Sequence, residues 1–144
     1  MNQTVLDPDF PIVEGDYFLS KYWSITLPIP FNRRVENDSL VLWKPGLTFW
    51  MTQFENHETQ SPREMVLSLI VDRGNQVEDY KEFEIGETFI AQYFQEEVKD
   101  SQTIFSYHYV IASETSMLSV KTYADNQTIS KMSKQICQTI KQNM

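Results

Sequence analysis

Apolar and polar residues alternate along most of this chain, and helical spacing takes over in only two stretches. The clearest alternation lies in SLVLWKPGLTFWMTQFE, where arms at 39–43 and 47–54 flank Lys44-Pro45-Gly46. Proline fixes φ and glycine accepts a positive φ, so Pro45-Gly46 fits the middle of a type II turn and the segment reads as a hairpin. In its second arm Leu47, Phe49 and Met51 alternate with Thr48, Trp50 and Thr52. Large residues on both faces place this strand centrally, covered at least in part on each side. Further strands are expected at 77–85 and 87–95, divided near Gly86, and at 103–112 and 117–123, divided by Ser113-Glu114-Thr115-Ser116. Shorter ones are expected at 17–19 and 22–27, ended by Pro28-Ile29-Pro30, because neither proline can donate to a ladder. Residues 1–15, with Pro8, Pro11 and Gly15, read as an irregular lead to one domain over 16–144.

The first helical stretch has a readable start. Ser61 can cap the amide of Glu64, Glu64 can cap back, and Pro62 sits where its missing N–H costs nothing. Met65, Val66, Leu67, Leu69, Ile70 and Val71 follow and predict a heavily buried helix that stops at Gly74. The second stretch begins around Asp125 and repeats Ile129, Met132, Ile136 and Ile140, with Lys131, Lys134 and Lys141 on its wetter side. Strands, a helix, more strands and a terminal helix, without regular βα alternation, predict an α+β fold. Its sheet should be twisted, largely antiparallel, of about six to seven strands, and covered by helices.

Composition narrows the classes. The chain has 144 residues, 41% of them hydrophobic, with three Trp, seven Tyr and nine Phe against four Gly, which excludes disordered and collagen-like chains. One cysteine excludes a disulfide scaffold. No apolar run is long enough to suggest a membrane span, and MNQTVLDPDFPIVEGDYF lacks the pattern of a secretory signal. The expected location is therefore cytoplasmic, an exported form with its signal already removed being the alternative. The net charge of −8 sets a poor prior for nucleic acid. It is also uneven. Residues 76–100 hold eight acids and two lysines, a net of −6, whereas 121–144 hold four lysines and one aspartate, a net of +3.

That acidic segment makes a basic protein the expected partner, recognised by charge complementarity at Glu82 and Glu84. Trp43, Trp50 and Tyr93, with Phe49, are candidate aromatic anchors, although a domain of this size also needs such residues in its core. Arg33 and Arg34 are the only adjacent arginines and could form a fork for a carboxylate or phosphate. Enzyme signatures are sparse. The serines lie in no G-x-S-x-G setting, and Cys137 sits beside the second helix's apolar stripe as a structural thiol. His57 and His108 have no metal-ligand spacing around them, so no metal or cofactor is expected. The function expected is a non-catalytic protein-interaction or accessory domain. The alternatives are a small-ligand domain, a hydrolase using converging carboxylates and a histidine, and an immunity-type inhibitor of a toxin.

The layout of ITLPIPFNRR, then the 39–55 hairpin, the Ser61-Pro62-Arg63-Glu64 helix start and the terminal strand–helix pair resembles the PsbP-like superfamily. That superfamily includes Ran-binding Mog-type proteins and bacterial DcrB-like domains. The resemblance implies a twisted, largely antiparallel sheet between helices over 16–143. Its members serve photosystem assembly, small-GTPase binding and bacterial envelope roles, and none of their functional residues maps onto this chain.

Overall fold

The computed structural model describes residues 6–56, 59–70 and 77–143. The elements run β1 Ile12–Phe18, β2 Trp23–Glu36, β3 Ser39–Lys44, β4 Leu47–Glu55, α1 Pro62–Ile70, β5 Val77–Ile85, β6 Thr88–Lys99, β7 Gln102–Ala112, β8 Ser116–Ala124, α2 Gln127–Cys137 and β9 Lys141–Gln142. All pairings are antiparallel, in the order β1-β2-β3-β4-β8-β7-β6-β5, with the two-residue β9 added to β2. This is an α+β fold with a nine-stranded antiparallel sheet packed against two helices. β4 lies at its middle, as the paired faces of Leu47–Thr52 anticipate.

Successive side chains of a strand point to opposite faces, so the register sorts the core into two layers. On one face Leu42, Phe49, Met51, Tyr107, Tyr109, Leu118 and Val120 pack with Ile136 and Cys137 of α2, and with Ile140 just beyond it. On the other, Phe89, Ala91, Tyr93, Val110, Ala112 and Met117 pack with Met65, Val66 and Ile70 of α1. Burying a side chain such as Ile136 contributes roughly 1.5–3 kcal/mol, so the apolar stripe, more than helix propensity, holds α2 in place.

The local signals work as expected where they are short-range. Gly46 has φ +84°, and its carbonyl accepts the Asp125 amide at 3.2 Å, which ties the β3–β4 turn to the start of α2. Asn126 caps that helix, its side chain accepting from the Ile129 amide at 2.9 Å. At α1 the capping box closes both ways. The Ser61 amide donates to Glu64 at 3.0 Å and the Glu64 amide donates to the Ser61 hydroxyl at 3.1 Å. These bonds, the backbone one foremost, hold the Glu64 carboxyl below the usual carboxylate range.

Four expectations need correction. Among the described residues the sheet has nine strands instead of six to seven. The stretch expected to be irregular already contains β1 from Ile12, an edge strand whose inward residues Val13 and Tyr17 pack on the core. The two short strands at 17–19 and 22–27 are replaced by β1 and a 14-residue β2 that runs through both prolines. It can do so because the register breaks there. Leu27 opposes Gly15 and Phe31 opposes Val13, so Pro28, Ile29 and Pro30 form a bulge that needs no ladder donor. Finally, α1 is only half-buried. Leu69 is 39% exposed, and the helix's expected stop at Gly74 lies outside the described residues.

Candidate functional site

The register assembles the face shared with α1 into cross-strand rows. One row reads Arg34, Val41, Trp50, Lys121, His108 and Tyr93 from β2 to β6. The row beside it continues Val110 to Ala91 and ends on Glu82, and the next ends on Glu84 opposite Phe89. Arg34, Trp43, Trp50, Tyr93, Glu82 and Glu84 thus share one face. Arg33 does not. Neighbours on a strand point oppositely, and Arg33 turns to the α2 face, donating from Nε to the Tyr17 hydroxyl at 2.7 Å. The fork expected of Arg33 and Arg34 is therefore not formed.

The six residues on the shared face fall into two groups. Trp50 on β4 and Glu82 on β5 are separated by β8, β7 and β6, about 19 Å at the usual strand spacing. Around the tryptophans the chain largely satisfies itself. The Arg34 guanidinium lies 4.7 Å over the Trp43 ring and pairs with Glu36 at 2.9 Å, while Phe10 meets Trp43 edge-on at 4.9 Å. Tyr93 is a core residue, 5% exposed, and its ring is stacked by His108 at 4.3 Å and by Tyr80 at 6.3 Å.

His108 is held in an unusual setting between these groups. Burial, and then the neighbouring Lys121 ammonium, push its pKa down to about 3, and its Nε2 is buried without a hydrogen-bond partner. Lys121 instead pairs with Glu97 at 3.3 Å. With its pKa at about 3 the ring is neutral at ordinary pH, stacked on Tyr93 and set beside the Lys121 ammonium. His57, the other candidate histidine, lies outside the described residues. Cys137 is fully buried, and desolvation pushes its thiol far above the ordinary range, as expected of a structural thiol. Among the described residues no group of three or more His, Cys, Asp or Glu side chains is placed to hold a metal ion. No helix among them is long and apolar enough to cross a membrane.

The second group lies at the sheet's edge. β5 pairs only with β6 among the described residues, which makes it an edge strand to which a further strand can be added. Along it Glu78, Asp79, Lys81, Glu82 and Glu84 are exposed, and Glu87 follows the Gly86 turn. Glu82 accepts from the Tyr80 hydroxyl at 2.6 Å and lies 3.8 Å from the Arg63 guanidinium. Glu84 and Glu87 flank a shallow recess with Glu114 from the β7–β8 turn and the start of α1.

A bulge organises this edge. Glu78 opposes Phe94 and Lys81 opposes Gln92, which leaves one extra residue on β5. Asp79 adopts φ +55°, a left-handed conformation that aspartate tolerates better than most residues. The extra residue returns Tyr80 to the α1 face, where it stacks on Tyr93, while Glu78 stays on the α2 face. Tyr80, Arg63 and Glu114 belong to this edge but were not among the expected site residues. Their sequence neighbourhoods carry no signal of it, because strand order alone brings them there.

The fold and the edge together define an α+β domain whose large sheet ends in an acidic open strand. No family model matches the chain, and no curated protein sequence matches it significantly.

Proposed function

We propose that this is a non-catalytic protein-binding domain that takes a basic, extended segment of a partner along β5. One observation carries the reading: the strand that holds Glu82 and Glu84 is an edge of the sheet, with no further strand beside it among the described residues. An added strand would gain main-chain hydrogen bonds there, and the carboxylates would select lysine and arginine. Charge of this kind speeds encounter and rejects acidic competitors more than it adds affinity. The tryptophan pair is a weaker anchor in this reading, since Trp43 already has Arg34 and Phe10 against it. A cytoplasmic location belongs to the same proposal and is checked by fractionation. The architectural resemblance to the PsbP-like superfamily is compatible with it, several of whose members act by binding proteins.

The test is affinity capture from the source cell at low salt with the wild-type domain and two charge-reversal pairs. A basic protein should be enriched, lost with Glu82→Lys/Glu84→Lys, and retained with Asp9→Lys/Glu14→Lys near the opposite edge. The purified partner should then bind directly with the same ranking. Equal loss with both pairs would reduce the effect to net charge and refute the site.

A further inference from the structure

On the α2 face, next to the same edge, a cleft of about 210 Å³ opens between the first turn of α2 and strands β5, β6 and β7. Its lining includes Phe94 and Phe105, the carboxylates Glu78, Asp79 and Glu96, and Ser130 and Lys131 of α2. Ser130 is 2% exposed and its hydroxyl has no hydrogen-bond partner. Buried polar atoms are rarely left so, and an unmet one lining a cleft points to a group that completes it on binding. The volume is below the roughly 300 Å³ at which pockets begin to enclose drug-sized molecules, and suits a single side chain.

We infer that this cleft receives an arginine side chain of the basic partner. The inference rests on the proposed reading of the β5 edge. The sign of the charge follows from the balance of the lining. Three carboxylates face the Lys131 ammonium, with Lys134 beside the cleft over Phe94 and the half positive charge at the α2 start already capped by Asn126, which leaves the lining itself net negative. The shape of the ligand follows from Phe105, since the Lys134 ammonium already lies 5.8 Å over the Phe94 ring. A guanidinium stacks on an aromatic face and still donates in its plane, which an ammonium does less well. It can donate to the Ser130 hydroxyl and to Glu96, whose Oε1 receives a 3.4 Å contact from Gln127 and no other among the described residues. The β5 bulge makes the two sites compatible. Alternate side chains of an added strand fall on opposite faces, so one residue meets Glu82 and Glu84 while a neighbour meets Glu78, Asp79 and the cleft.

The test uses the isotope-labelled protein and three probes followed by NMR. These are N-acetyl-arginine methylamide, its citrulline counterpart with a neutral urea in place of the guanidinium, and an extended arginine-rich peptide. The arginine amide and the peptide should shift Phe94, Phe105 and Ser130 saturably, and the citrulline amide should not. Glu78→Gln/Glu96→Gln should weaken both at least about tenfold, the scale of charged hydrogen bonds, and Ser130→Ala by about threefold. Equal shifts from the citrulline amide, or none at these residues from the arginine amide, would overturn the inference. A peptide that shifts β5 and leaves Ser130 and Phe105 unmoved overturns the cleft's role while the edge reading stands. Binding of the amide without any binding of the peptide overturns the assignment to a partner and makes the cleft a site for free guanidinium compounds.

Discussion

His108 provides a sharp test of how the sheet face is built. Its folded pKa is about 3 against an ordinary 6.5, because the ring is buried on Tyr93 beside Lys121, which is itself held by Glu97. Between those two values the unfolded chain binds a proton that the folded chain refuses, so stability rises with pH across the interval. The contribution is complete above 6.5 and is lost progressively as pH falls below it. At about pH 4 the cost reaches about 3.5 kcal/mol at about 1.4 kcal/mol per unit, and solvent screening of a partly exposed ring brings the expected value to about 2 kcal/mol. Urea unfolding of the wild type and of His108→Phe at about pH 7 and about pH 4 measures it. Carboxylates titrate alike in both proteins, so the wild type should lose about 2 kcal/mol more than the variant over this range. Equal losses, or an imidazole that titrates near 6.5 in NMR spectra of the folded protein, would refute the argument.

Three further outcomes follow from the same geometry. Ser61→Ala removes one half of the α1 capping box and should lower stability by about 1 kcal/mol in urea unfolding, with Ser61→Asp close to wild type. Tyr107→Phe leaves the Gln92 Oε1 atom without the 2.6 Å bond it accepts in the core, at a cost of about 1–3 kcal/mol. Cys137 should resist a thiol reagent in the native state and react fully in denaturant, since burial suppresses its thiolate.

Much of the fold is legible in short-range chemistry. Pro45-Gly46, the Ser61–Glu64 box and the Ile129–Ile136 stripe each fix a local geometry through residues only a few positions apart. What escapes is non-local or uses residues that do not announce their conformation. The β2–β3 turn at Asn37-Asp38 and the β6–β7 turn at Asp100-Ser101 have positive φ at both positions without any glycine. Pro28 and Pro30 look like a stop unless the bulge they form opposite Val13–Gly15 is known. The pairing of β4 with β8 spans α1 and three strands, and nothing in either segment names the other.

The site divides along the same line. That Glu82 and Glu84 share a face is a matter of strand period, and so is the separation of Arg33 from Arg34. That β5 is the edge, that Tyr93 is buried, and that the acids lie about 19 Å from Trp50 all depend on strand order.

The most direct measurement is hydrogen exchange of the domain, free and bound to the basic protein it captures. Amides on the outer side of β5 have no further strand beside them among the described residues and should gain protection on binding, with β1 at the far edge and the Trp43–Trp50 face unchanged. Protection at β1 or across the tryptophans, with β5 exchanging as before, would contradict recognition at the acidic edge.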